Sequence, residues 1–84
     1  MSRLGRAMDV VLYTRPGCHL CDEAREVLLA ERSRTPFDLT EVDIETSDEL
    51  VRDYGIRIPV VTIDGEERFE IAVDPGALAT ILRR

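Results

Sequence analysis

Two cysteines, Cys18 and Cys21, are the only ones in this chain, and two residues separate them in "TRPGCHLCDEA". A pair at this spacing can be a reactive redox couple, half of a metal site, or two small apolar residues that happen to be close. Placement separates the three. Pro16 and Gly17 force a loop, and an amphipathic run begins directly after it, so Cys18 stands at a helix start and Cys21 lies within the first turn. Unpaired N–H groups and the helix dipole at such a start stabilise an anion. A thiolate is such an anion, and thiol pKa values fall there from about 8.5 toward roughly 3.5–7.5. Arg15 and His19 can add positive potential. Positions i and i+3 share a helix face and reach disulfide distance. The roles then divide: Cys18 attacks, and Cys21, more deeply placed, resolves the mixed disulfide.

The rival readings are weaker. A structural zinc site needs four ligands, whereas this chain has one histidine, His19, wedged between the cysteines, and no second cysteine pair. No bound metal is expected. A permanent disulfide across so short a loop would restrict the unfolded chain little. Two incidental core cysteines remain an alternative, since free cysteine is often buried, but they need neither a Pro-Gly loop nor a helix start.

Composition removes other chemistries. The net charge of −6, from 17 acidic and 11 basic residues, argues against nucleic acid or an anionic membrane as partner. Every basic residue is arginine, so lysine Schiff-base chemistry is excluded. No Gly-rich phosphate loop occurs, and "DGEE" lacks calcium-loop spacing. No apolar run approaches the roughly 20 residues of a membrane helix. Arg3 and Arg6 precede only a short apolar run interrupted by Asp9, which is not a signal-peptide pattern. The expected location is cytoplasmic, where a permanent disulfide is uncommon.

The elements that must position the cysteines follow from the pattern. Residues 1–8 read as a flexible tail and 9–84 as one domain. Val10–Tyr13 suits a strand covered on both faces. In the helix after it, Leu20, Ala24, Val27 and Leu28 form one apolar stripe, with Glu31 at the same spacing. "PFDLTEVDI" alternates as a second strand. "TSDELVRDYG" is a short helix, with Thr46 and Glu49 at capping-box spacing and Gly55 as terminator. "PVVTIDGEERFEI" gives two strands about an Asp64-Gly65 hairpin turn. In "DPGALATILRR" Asp74 caps a last helix, Pro75 fits its first turn, and Arg83 and Arg84 complement its negative end. Tyr13 and Phe69 are assigned to the core. The order βαβαββα implies an α/β domain: a four-stranded mixed sheet whose first two strands are parallel, whose last two form a hairpin, and whose helices cover both faces.

"LYTRPGCHLCDEAREVL" resembles the opening of glutaredoxins and glutaredoxin-like small proteins of thioredoxin-like fold, and the element order is similar over essentially the whole chain after residue 8. A later "GIRIPVV" strengthens the likeness. Taken alone, Pro59 would be a trans proline opening a strand. The resemblance implies instead that Pro59 is cis beside the cysteines, and that the backbone of Ile58 is free to pair with an extended peptide or a glutathione-like substrate. It also implies that Arg15 meets a thiol substrate's carboxylate, a role set against that of an ordinary solvated charge; Arg57 is a weaker candidate of the same kind. Two departures stand out. The Gly-Gly pair of glutathione-using glutaredoxins is replaced by "FEIAVDPGAL", and the Pro-Tyr between the cysteines by His19-Leu20. A thioredoxin proper would carry an acid where Leu12 stands, and a tryptophan.

The expected function is a dithiol thiol–disulfide oxidoreductase. Its substrates would be a disulfide-containing protein or a small-thiol mixed disulfide. No cofactor is expected to be bound; a low-molecular-weight thiol such as glutathione, or a reductase, would restore the dithiol. The alternative is a weakly active or inactive binding module using the groove near Pro59.

Overall fold

A computed structural model describes residues 8–83. Of the expected tail, residues 1–7 lie outside the described residues, as does Arg84. Met8 belongs instead to the folded part: it packs half-buried against the core, and its C=O accepts the Asp38 N–H at 3.0 Å.

Strand β1 spans Asp9–Thr14, helix α1 His19–Arg32 and strand β2 Asp38–Asp43. A single 3₁₀ turn, Ile44–Thr46, leads into α2 at Asp48–Tyr54. The chain then forms β3, Val60–Ile63, β4, Glu66–Glu70, and α3, Pro75–Leu82. The sheet order is β2-β1-β3-β4, with β1 parallel to β2 and antiparallel to β3, and β3 antiparallel to β4. The α1 crossover forces the first pairing to be parallel, and the tight turn forces the last to be antiparallel. That turn needs left-handed backbone at both central residues, and Asp64 and Gly65 have φ of 52° and 86°.

Side-chain alternation along β1 divides the faces. Val10 and Leu12 point to one side and are buried among Ala24 and Leu28 of α1 and Leu78 and Leu82 of α3. Opposite them in register, Ile63 and Val61 continue the same layer. Leu12, Leu28 and Leu78 are fully buried, each worth about 1.5–3 kcal/mol relative to an exposed side chain. Tyr13 points the other way, and Tyr54 of α2 stacks on it with ring centroids 4.4 Å apart. Helices therefore cover both faces, as expected from the order. Tyr13 is half-buried and belongs to this second layer rather than to the main core.

Two local expectations change. Leu20 is 45 % exposed; the buried stripe of α1 is Cys21, Ala24, Leu28 and Glu31, with Val27 half-buried beside it. Seating Cys21 inward turns its neighbour Leu20 outward, because successive helix residues differ by about 100°. The cap of α2 is Ser47, not Thr46. The 3₁₀ turn uses Thr46, whose hydroxyl donates to Asp43 O at 2.8 Å, and Ser47 Oγ then accepts the Leu50 N–H at 3.4 Å. Gly55 ends that helix without a left-handed residue. Its value is close approach: a Cβ there would stand 2.5 Å from Val51 O.

Candidate functional site

The loop Arg15–Gly17 leaves β1 and delivers Cys18 to the N-cap of α1 in extended backbone, φ −86° and ψ 106°. Gly17 reverses the chain with φ 79°. The Cys18 N–H returns to Arg15 O at 3.3 Å, and Cys18 O starts the helix by accepting the Asp22 N–H at 3.2 Å. The decisive contact involves the sulfur. Cys18 Sγ accepts the backbone N–H of Cys21 at 3.1 Å, taking the place of the serine or aspartate oxygen usual at this position. That N–H is one of the donors a helix start leaves without an internal partner, so it is available to a sulfur anion.

Cys21 is fully buried, whereas Cys18 is partly exposed. The two sulfurs are joined as a disulfide, with the Cα atoms 5.2 Å apart. The arrangement matches the geometry derived from the i, i+3 spacing: an outer sulfur at the cap and an inner sulfur beneath it.

Pro59 is buried and follows a cis peptide bond from Ile58. The β1–β3 register runs to Tyr13 opposite Val60, so Pro59 comes alongside the end of β1, where the cysteine loop begins. Ile58 is half-buried, and among the described residues its N–H and C=O take no backbone partner.

Arg15 is not free. Its Nε and Nη2 both meet Glu45 Oε2 at 3.1 Å. Arg25 is likewise held by Glu41 and Asp22, at 2.8 Å each, and its pKa is pushed above the ordinary guanidinium value chiefly by the bond to Glu41. Arg57 is clamped by Glu67 and Glu70, both at 2.9 Å, and lies over the Tyr54 ring at 5.4 Å. The Glu67 bond, then Glu70, raises the Arg57 pKa, and Arg57 in turn holds the Glu67 carboxyl below its ordinary range. Desolvation raises the Tyr54 phenol. The arginines nearest the disulfide in sequence are thus already paired. His19 is exposed, with Nε2 3.4 Å from Glu23 Oε2. Among the described residues no group of three or more His, Cys, Asp or Glu side chains is arranged to hold a metal.

One residue held against Pro59 escaped the sequence reading. Ile71, 42 % exposed, has a left-handed φ of 72°, rare for a β-branched residue. Its N–H is held by Pro59 O at 2.8 Å and Arg57 O at 3.1 Å, which fixes it against the proline. With Leu20 it lines a shallow groove at the start of α1. The sequence did carry a signal: Ile71 stands in the segment where the resemblance leads one to look for Gly-Gly, and the backbone there keeps a conformation that favours glycine.

Comparison with known proteins gives the family and the fold. A family model described as glutaredoxin-like domain (DUF836) matches residues 9–83. A Mycobacterium tuberculosis protein named as uncharacterized protein Rv0508 is 32 % identical over 81 residues, covering 90 % of this chain and 84 % of that one. The solution structure of protein Ne2328 from Nitrosomonas europaea superposes with a TM-score of 0.83 at 27 % identity, covering 98 % of this chain and 99 % of that one. A thioredoxin variant from Halobacterium salinarum has a TM-score of 0.67 at 20 % identity, over 93 % of this chain and 74 % of that one. The shared architecture is the thioredoxin fold.

Proposed function

Because this chain belongs to the glutaredoxin-like domain family, we propose that it is a dithiol thiol–disulfide oxidoreductase with Cys18 as nucleophile and Cys21 as resolving thiol. The observation that carries the reading is the Cys18 sulfur at the α1 cap, accepting the Cys21 N–H at 3.1 Å above a buried partner sulfur.

In the reduced protein the Cys18 thiolate attacks one sulfur of a substrate disulfide. The substrate S–S bond breaks, a Cys18–substrate disulfide forms, and the second substrate sulfur leaves as a thiolate that takes up a proton. Cys21 loses its proton and attacks the Cys18 sulfur. The substrate's remaining thiolate leaves and is protonated, and the Cys18–Cys21 disulfide is left behind. Two electrons pass from the protein dithiol to the substrate. Burial keeps Cys21 from competing for the first attack. The free backbone of Ile58 beside Pro59 offers an extended substrate one strand-like pairing. Arg15 contributes to substrate only by exchanging Glu45 for a substrate carboxylate.

We place the protein in the cytoplasm, with a low-molecular-weight thiol such as glutathione, or a reductase, restoring the dithiol. Among the described residues no helix is long and apolar enough to cross a membrane. A second reading, a binding module with little redox activity, is favoured by Ile71 standing before the last helix where glutathione-using glutaredoxins carry Gly-Gly. The deciding experiment mixes pre-reduced protein with a peptide mixed disulfide and follows peptide thiol release. Wild type should release thiol, Cys18→Ser should not, and Cys21→Ser should accumulate a covalent adduct at Cys18. Equal release from wild type and Cys18→Ser would overturn the proposal.

A further inference from the structure

The groove at the start of α1 does not end at Leu20 and Ile71. Glu23 and Val27 line it there, and the same two residues line a wider hollow of about 360 Å³ that runs on past Glu26 and Glu31 to Pro75 at the start of α3. The floor is apolar and the far stretch is acidic. Three carboxylates, from Glu23, Glu26 and Glu31, line it with one guanidinium, that of Arg34, and Arg83 reaches Glu31 as a second cation.

Glu31 is the unusual member. It is 3 % exposed and sits on the buried stripe of α1, where an apolar residue fits best. Its Oε1 meets Arg34 at 3.5 Å and its Oε2 pairs with Arg83 at 4.0 Å, but among the described residues Oε2 is buried without a hydrogen bond. A buried carboxylate oxygen left in this state is costly, and its field is weakly screened by solvent. Glu26 is exposed and has no ion-pair partner among the described residues. With Glu31 met by Arg34 and Arg83, the surplus negative charge of the hollow comes from Glu23 and Glu26, along an apolar floor that starts at Leu20, the residue before Cys21.

We propose that this groove binds the polypeptide flanking the reactive cysteine of a protein substrate, and that it selects a flank carrying arginine or lysine together with an apolar side chain. The inference rests on the oxidoreductase reading above and names its substrate class. The apolar side chain lies on Leu20, Val27 and Ile71. The basic side chain reaches along α1 to Glu23 and Glu26. Charge complementarity at a rim acts mainly on encounter and on choice of partner.

The test uses three cysteine peptides as mixed disulfides with 2-mercaptoethanol, identical except for flanking Arg, Gln or Glu residues. Single-turnover reduction by the full-length, pre-reduced protein is timed at low and high salt. The Arg-flanked peptide should be reduced about tenfold faster than the Glu-flanked one at low salt, converging as salt screens the charges. The double variant Glu23→Gln/Glu26→Gln should lose most of that preference, read as the ratio of the Arg-flanked to the Glu-flanked rate. A distant variant of equal net charge, Glu49→Gln/Glu66→Gln, should keep the preference, separating the groove from the charge of the whole surface. Equal rates on the three peptides, or equal loss in both double variants, would overturn the inference and leave the oxidoreductase reading standing. Reduction of none of the peptides would overturn both.

Discussion

Cys18 caps the helix that contains Cys21: its sulfur accepts the Cys21 backbone N–H at 3.1 Å, so one sulfur is held by the amide of the residue it bonds covalently. The relationship joins fold and chemistry. The hydrogen bond that completes the helix start also favours negative charge on the outer sulfur.

The second cap offers a control on the stability side. Asp74 Oδ2 accepts the Ala77 N–H at 2.8 Å and Pro75 occupies the first turn. Asp74→Ala should cost about 1 kcal/mol of stability, read from the urea midpoint, without changing thiol reactivity. An unchanged midpoint would mean that α3 does not depend on this cap.

Ile71 should behave in the opposite sense. A β-branched residue held at φ 72° is strained, and Ile71→Gly removes that strain at the expense of greater freedom in the unfolded chain. We expect a net gain of about 1 kcal/mol by denaturant titration. A loss would show that the exposed side chain contributes more by packing than its conformation costs.

The Arg57–Glu67 pair sets an acid dependence. Glu67 has a folded-state pKa below its ordinary value because of the bond to Arg57. Its contribution is therefore complete above the unfolded-state carboxylate value and declines as pH falls through the folded-state value. Stability measured downward from neutral pH should drop in the range below about 4.5, the reference value for this carboxyl, and Glu67→Gln should flatten that drop. Identical pH profiles for the two proteins would contradict it.

Much of this was legible in the sequence because the signals were local and mutually consistent. Pro16-Gly17 before a helical period placed Cys18 at a cap, Asp64-Gly65 fixed the hairpin, and Asp74-Pro75 fixed the last helix start. Residues whose environment depends on distant chain were not legible. Leu20 lies on the apolar period of α1, and only the packing of α1 decides that the deeper placement of Cys21 turns it outward. Glu31 falls on the helical stripe, yet its burial depends on how α1 packs against its neighbours. The pairing of Arg15 with Glu45 crosses 30 positions, and no local pattern signals it.

The most direct measurement is the thiol titration of Cys18 in the reduced Cys21→Ser variant, followed by ultraviolet thiolate absorbance. An anion held at a helix start predicts a pKa clearly below about 8.5, the free-thiol value. A Cys18 pKa at or above that value would contradict the account.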